Sequence, residues 1–469
     1  MNFQIESAKI TSQLLLEKVE AFLREEEPRR SRLVDYYRGW QGVKKGPVAQ
    51  GRPNNQLTAN FAKYITDVHT GYFLGLPPTL TFDRRRAQER VGKALEEASL
   101  EAMLYAAARD MSICGEGYLL TYMSAKGPRL ARLDPLETFM LTSGVRQEPV
   151  AAVRVHSAGR EMAQGELYLA GQVQSWELQG KILTLGEPAA LPFEGLTVTR
   201  FCNNLDGTGD FEPVCSLLDA YNVLLSGSMD DMQSVANAFL ALYGVMGTTQ
   251  EDIDRANRSR VLCLSDSGKA EFVVKNLSPD AISLMRDTLK HDMLTITMTP
   301  DLQDEAFAGN SSGVALEYKL WGIEQARAAK EQGFACGLYH IVGLFMQALT
   351  LLGSPVNAQC TARFYKNLPQ DVQRICENLE LLGDTVSNRT KLELLPFVKM
   401  WRPSSAAWKP RKEPKTWKNC WKKSKKSSKK PLKSRWSSPS CPLMSRLLPP
   451  LPHWSRSWKN CERKSSIAC

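Results

Sequence analysis

Three carboxylates, Asp301, Asp304 and Glu305, stand between Pro300 and the stretch Phe307-Ala308-Gly309-Asn310-Ser311-Ser312-Gly313. Carboxylates at this spacing either cap and solvate a turn or take a hard cation. Catalysis is not indicated anywhere in the chain. The five histidines, His69, His156, His291, His340 and His453, form no HExxH spacing, and neither a P-loop nor a GxSxG is present. Gly115-Glu116-Gly117 lacks the third glycine of a phosphate loop and precedes a strand pattern where a helix is needed. Asp206-Gly207-Thr208-Gly209-Asp210 resembles a fragment of a calcium loop, but the bidentate Glu at its twelfth position is missing, which favours a plain turn. The run Arg84-Arg85-Arg86 reads as a solvated helix start, with phosphate contact as the sharper alternative. The expectation is therefore a protein with no enzyme activity, no cofactor and no resident metal.

The carboxylates need elements to hold them. Pro300 closes whatever precedes it, because it lacks an N–H and disfavours helix in the residue before it. Asn310, Ser311 or Ser312 can cap the free N–H groups of a following helix, and Gly309 and Gly313 relax the backbone there. That helix is predicted from Ser312 to about Leu352, with Leu316, Leu320 and Ile323 on one stripe and Val314, Tyr318 and Trp321 on the next. At ~1.5 Å per residue it would be roughly 60 Å long. Gly322 and Gly333 each weaken it by ~1 kcal/mol relative to alanine, which predicts a bend near one of them. Phe334 to Gly353 is apolar enough to span a membrane, with His340 and Gln347 its only strongly polar side chains. Because the helix continues upstream through Glu317, Lys319, Glu324, Arg327, Lys330 and Glu331, the favoured reading is a buried core helix.

Upstream, residues 1 to 40 predict a helix bearing Leu14, Leu15, Leu16 and Leu23, then a second helical segment. A loop rich in glycine and proline leads to a helix from Phe61 to Phe73, and Leu100 to Cys114 is apolar enough to be buried. Strand patterning follows at 118–123, 129–133, 150–155, 166–169, 173–178, 182–185 and 196–201. Helical spacing returns at Pro213, and a helix capped by Ser278 with Pro279 in its first turn reaches about Thr297. Between these two helices lie strand candidates at 260–264 and 270–274.

The 469 residues exceed what one core usually serves, so two or more packed units are expected. Charge is divided unevenly. Residues 399–469 hold 20 Lys and Arg against Glu413 and Glu462, whereas residues 1–398 hold 40 basic and 48 acidic groups. Met1 to Glu27 is charged throughout and does not read as a signal peptide. Cys114, Cys202, Cys215, Cys263, Cys336, Cys360 and Cys376 lie singly with no CxxC, as reduced cysteines of a cytosolic fold do.

Several motifs in fixed order resemble the portal proteins of tailed bacteriophages, of the siphophage type of many Gram-positive hosts. They are Tyr36-Tyr37-Arg38-Gly39, Asn60-Phe61-Ala62-Lys63-Tyr64-Ile65 with Gly71-Tyr72-Phe73-Leu74-Gly75, and Asn203-Asn204 followed by Gly209-Asp210-Phe211-Glu212. To these are added Leu218-Asp219-Ala220-Tyr221-Asn222 and, most specifically, Phe307 to Leu316. The resemblance covers roughly Met1 to Val398. It implies an α+β, mainly helical portal fold: a wing at 1–212, stem helices at 213–240 and 279–299, and a small α/β clip at 241–278. A tunnel loop at 300–311, a long kinked helix at 312–353 and a crown at 354–398 complete it. The implied assembly is a ring of about twelve copies at one capsid vertex of the virion, assembled in host cytoplasm, through which double-stranded DNA enters and leaves. Implied partners are the terminase large subunit, scaffold and major capsid proteins and a head-completion adaptor, with no membrane. The tunnel loop would line the channel with Asp301, Gln303, Asp304, Glu305 and Asn310. The clip would present Asp252, Arg255, Arg258 and Arg260. Because Lys and Arg would hold DNA by neutralising its phosphates, a ring of carboxylates would let it slide.

Residues 399–469 depart from the family. Seven of the ten tryptophans lie beyond residue 400, among Lys, Ser and Pro, with no period that makes an apolar face. The preferred reading is a shifted reading frame. Glu codons read one base late give Lys, Asn, Arg or Ser, Leu-Glu gives Trp followed by Lys or Asn, and Trp-Lys occurs at 408, 417, 421 and 458. The alternative is a disordered tail that binds nucleic acid non-specifically through basic and aromatic residues, which would make DNA binding the protein's function. An integral membrane protein anchored by Phe334 to Gly353 is the third reading.

Overall fold

The first helix begins where the Thr11 hydroxyl accepts the Leu14 N–H at 3.2 Å. This helix, α1 (Ser12–Ala21), passes through a π-helical stretch, Phe22–Glu26, into α2 (Glu27–Arg38), which ends at Gly39 in the left-handed region. In this computed structural model the described residues are 3–5, 10–43, 53–144, 147–157, 162–236, 239–243, 249, 251, 254, 269–273, 278–303, 317–367 and 379–381. The chain divides into two units, Met1–Gln370 and Asp371–Cys469, and of the second only 379–381, in helical conformation, are described.

Next comes α3 (Phe61–Leu74), whose first turn is capped by Asn60 accepting the Lys63 N–H at 2.9 Å. A short strand, β2 (Thr79–Phe82), leads to α4 (Arg85–Glu97) and α5 (Leu100–Cys114). Arg84, Arg85 and Arg86 are exposed and Arg85 pairs with Glu89 at 2.9 Å, the arrangement of a solvated face. Eight strands follow: β3 (Glu116–Ser124), β4 (Gly127–Leu133), β5 (Thr138–Ser143), β6 (Glu148–Ser157), β7 (Met162–Leu169), β8 (Gln172–Gln179), β9 (Ile182–Ala190) and β10 (Val198–Cys202). With the opening strand β1 (Gln4–Ile5), they make a six-stranded sheet in the order β1-β5-β6-β7-β8-β9 and a three-stranded sheet in the order β10-β3-β4. The large sheet buries Phe139, Val153, Leu167 and Trp176 together with Leu15, Val19 and Phe22 of the N-terminal helical stretch.

All seven strand patterns in this region are present. The sequence reading missed β5, whose Thr138 to Thr142 are all buried, so that the alternation marking a half-exposed strand is absent. Helix α6 (Cys215–Ala236) stops before residue 240, and Phe239–Tyr243 instead forms β11, antiparallel to β12 (Lys269–Val273). The candidate at 260–264 lies outside the described residues. Helix α7 (Pro279–Ile296) packs along α6.

The long helix α8 (Trp321–Leu351) is shorter than the sequence suggests. Residues 317–319 are helical, Leu320 forms a turn, and 304–316 lie outside the described residues. The interruption therefore falls beside Gly322, and the helix runs unbroken through Gly333. Gly333 serves another purpose. A Cβ there would lie 3.2 Å from the Cys202 carbonyl oxygen, and one at Gly337 only 2.6 Å from the Phe201 ring. The two glycines let α8 lie directly on β10. By length and composition α8 could cross a membrane, but Phe334, Leu338, Ile341 and Phe345 are buried in one core with Phe73, Leu104, Met111, Leu119 and Phe201. Burial of each such side chain contributes ~1.5–3 kcal/mol. The last described strand, β13 (Cys360–Arg363), pairs with β2.

Candidate functional site

Helix α7 ends in a sharp reversal that delivers the acidic segment. The Thr299 N–H donates to the Leu294 carbonyl at 2.8 Å and the Met298 N–H to that of Thr295 at 3.1 Å, the two bonds of a Schellman cap. Met298 holds the left-handed position of that cap, with φ 55°, where glycine is usual. Thr297 and Thr299 flank it, their hydroxyls 2.8 Å apart, and both are buried.

His69 of α3 fixes this reversal. Its Nε2 lies 2.9 Å from the Thr297 carbonyl and 3.1 Å from the Thr299 hydroxyl. A carbonyl only accepts, so Nε2 carries the proton and Nδ1 turns its lone pair toward Asp210, 4.0 Å away. Asp210 is the centre of a buried cluster. Its Oδ2 lies 2.5 Å from Lys330 Nζ on α8 and accepts from the Ser112 hydroxyl, and its Oδ1 accepts from Asn203 Nδ2 at 2.8 Å. Burial pushes the His69 imidazole down to about 4, Lys330 adding to the effect and Asp210 opposing it. Burial alone would raise the Asp210 carboxyl, but Lys330, His69 and the Ser112 hydroxyl hold it below its ordinary value. The candidate calcium fragment is thus spent on a lysine.

Beyond the reversal the backbone is pinned to a tyrosine. The Tyr64 hydroxyl donates to the Pro300 carbonyl at 3.1 Å and accepts the Leu302 N–H at 3.2 Å. Asp301 caps the turn by accepting the Gln303 N–H at 3.2 Å, and its other oxygen lies 2.7 Å from Lys290 Nζ of α7. Both members of this ion pair are about one-third exposed, so it contributes ~0–1 kcal/mol. Its effect on charge matters more than its energy. Leu302 and Gln303 face solvent, and a groove of about 510 Å³ beside them is lined by Lys290, His291, Met298, Asp301 and Gly322 among others.

Of the residues singled out from sequence, Asp301 and Gln303 stand on this turn. Asp304, Glu305 and Asn310 lie outside the described residues, as do Asp252, Arg255, Arg258 and Arg260. Sequence reasoning missed Tyr64, His69, Lys290 and Lys330. Lys330 carried a faint signal, being the last lysine of α8 before its apolar half. His69 carried none. Among the described residues no group of three or more His, Cys, Asp or Glu is placed to hold a metal ion, and Cys114, Cys202, Cys215, Cys336 and Cys360 are free.

Comparison with known proteins gives four matches. The family described as phage portal protein, SPP1 Gp6-like, matches residues 17–414. The portal protein of Bacillus phage SPP1 is 21% identical over 412 residues, which cover 82% of this chain and 80% of that protein. Among solved structures, a chain from the neck of an empty GTA particle computed with C6 symmetry aligns with TM-score 0.42 and 13% identity, over 73% of this chain and 91% of that one. A chain from the neck of the native GTA particle computed with C12 symmetry aligns with TM-score 0.40 and 13% identity, over 71% and 88%.

Proposed function

This chain belongs to the SPP1 Gp6-like family of phage portal proteins, and from that premise we propose that the acidic turn at 300–303 is the root of a loop facing the passage for double-stranded DNA. The protein is a structural, non-enzymatic component of the virion, with the portal's role in genome packaging and a place at the portal vertex of the capsid. In our reading about twelve copies meet head to tail through a heterologous interface whose rotation closes, which gives a ring where an unclosed rotation would give a filament. Residues 1–212 form the wing toward scaffold and major capsid proteins, and α6 and α7 form the stem. The clip at 241–278 takes the terminase large subunit during packaging in the host cytoplasm and an adaptor afterwards. Residues 354–398 form the crown.

One observation supports the channel reading of the turn. The backbone at 297–302 is fixed on one side by His69 and Tyr64, while Leu302 and Gln303 project into solvent. This is the geometry of a rigid base from which a short loop can reach a passage. The Lys290 pair refines the electrostatic reading. Because Asp301 is offset by a cation 2.7 Å away, repulsion of phosphate rests mainly with Asp304 and Glu305. The test places a bulky maleimide on Gln303→Cys, with the same label on Arg86→Cys of the exposed α4 surface as control. Labelled Gln303→Cys rings are expected to form and to stop DNA from filling capsids, while the control packages. Packaging at the control's rate removes the turn from the passage.

A further inference from the structure

We propose that His69 is the positioning residue for the acidic turn: it holds the Thr297-Met298-Thr299 reversal in a strained conformation and so fixes the direction in which the loop leaves the stem. The proposal deepens the channel reading above and rests on it for its consequence in packaging.

The strain is local and identifiable. A non-glycine side chain in the left-handed region is disfavoured by roughly 1–2 kcal/mol, and such residues persist where surrounding bonds over-determine them. Met298, at φ 55°, is a bulky residue in that region. The over-determination comes from both sides at once. His69 reaches the carbonyl before Met298 and the hydroxyl after it, at 2.9 and 3.1 Å. Thr297 in turn donates its hydroxyl to the Met293 carbonyl at 2.8 Å. With His69 removed, the Thr297 carbonyl and the Thr299 hydroxyl lose a shared partner in a buried place, and Met298 is free to relax toward negative φ. Relaxation there would swing Pro300 and everything after it.

His69 is enclosed on its other side. Its Nδ1 lies 4.0 Å from Asp210, which ties together Ser112 of α5, Asn203 just after β10 and Lys330 of α8, so the neutral imidazole packs against that cluster without a hydrogen bond to it. The direction of the turn is thereby referenced to α3, which carries His69, and not to α7 alone. On the other side of the reversal, a Cβ at Gly322 would lie 3.4 Å from that of Met298. The start of α8 therefore also passes close to the strained residue.

The experiment is a double-mutant cycle on assembled rings, read by amide hydrogen exchange of 294–303 and by DNA packaging per ring. His69→Ala is expected to speed exchange of the Thr299 and Leu302 amides about tenfold relative to amides in α5 and β6, a local opening. His69→Gln, which keeps a donor, restores most of the protection. Glycine accepts the left-handed region without strain, so His69→Ala combined with Met298→Gly is expected to exchange near the wild-type rate, a non-additive result. Unchanged exchange in His69→Ala, a rise shared equally by α5 and β6, or loosening that persists in the Met298→Gly background would each overturn the proposal. Local loosening with undiminished packaging would leave His69 as the positioning residue and sink only the channel reading.

Discussion

His69 and Asp210 set a pH limit on the fold at the level of single side chains. A buried imidazole held down to about 4 binds its proton less readily than in the unfolded chain, where the value is about 6.5. The unfolded state therefore binds more protons between these values, and stability is full above about pH 6.5 and is lost as pH falls toward 4. His340, lowered by burial, acts in the same direction. The shift at His69 corresponds to a loss on the order of 3 kcal/mol across that window. We expect the melting temperature to fall between pH 6.5 and 4, and the fall to be shallower in His69→Gln; equal slopes would mean that His69 is not the titrating group. The Asp210–Lys330 pair gives a second expectation. Lys330→Met leaves a carboxylate buried without its cation, which costs about 3–5 kcal/mol, whereas Lys330→Met with Asp210→Asn recovers a large part of the loss because no lone charge remains. Urea unfolding free energies of the wild type and the two variants, from midpoint and slope together, measure the loss and its recovery.

Two glycines in helix α8 provide a matched comparison at the level of elements. A methyl at Gly337 would meet the Phe201 ring at 2.6 Å and the Arg200 carbonyl oxygen at 3.2 Å, while one at Gly343 meets nothing within 4 Å. Gly337→Ala is expected to destabilise by about 1–3 kcal/mol through overpacking. Gly343→Ala is expected to stabilise by up to about 1 kcal/mol through helix propensity. Opposite shifts in denaturation midpoint distinguish helix-on-strand packing from a general intolerance of the helix. The same helix shows what a single sequence can carry. Its C-terminal end, apolar half and one interruption were readable from periodicity and glycine, but not its start, nor which glycine breaks the helix and which admits β10, because that depends on a strand more than 130 residues away. Strands β2 and β13 were unreadable for a similar reason: Thr79–Phe82 and Cys360–Arg363 are four residues each and exist by pairing with one another. At the site, the acidic residues and Pro300 announced a turn. The histidine and lysine that hold it sit on α3 and α8, in ordinary helical surroundings, and only folding brings them together.

Charge divides the whole molecule into two parts with opposite consequences for DNA. Residues 1–398 carry 40 basic and 48 acidic groups, and residues 399–469 carry 20 basic against two acidic. A body of this balance should not retain a duplex, whereas a segment so rich in Lys and Arg should retain any duplex at low salt by releasing counterions. Such binding is non-specific and falls steeply as salt rises. A polypeptide ending at residue 398 is thus expected to assemble rings of the same size as the full chain, seen by negative-stain imaging, and to lose retention of linear duplex at about 50 mM salt. The full chain should retain duplex at that salt and release it at about 200 mM. Rings that fail to form without residues 399–469 would mean that the segment belongs to the assembly. Retention that survives its removal would place cationic DNA contacts in the body, and the sliding passage built on Asp304 and Glu305 would then have to give way to one that grips.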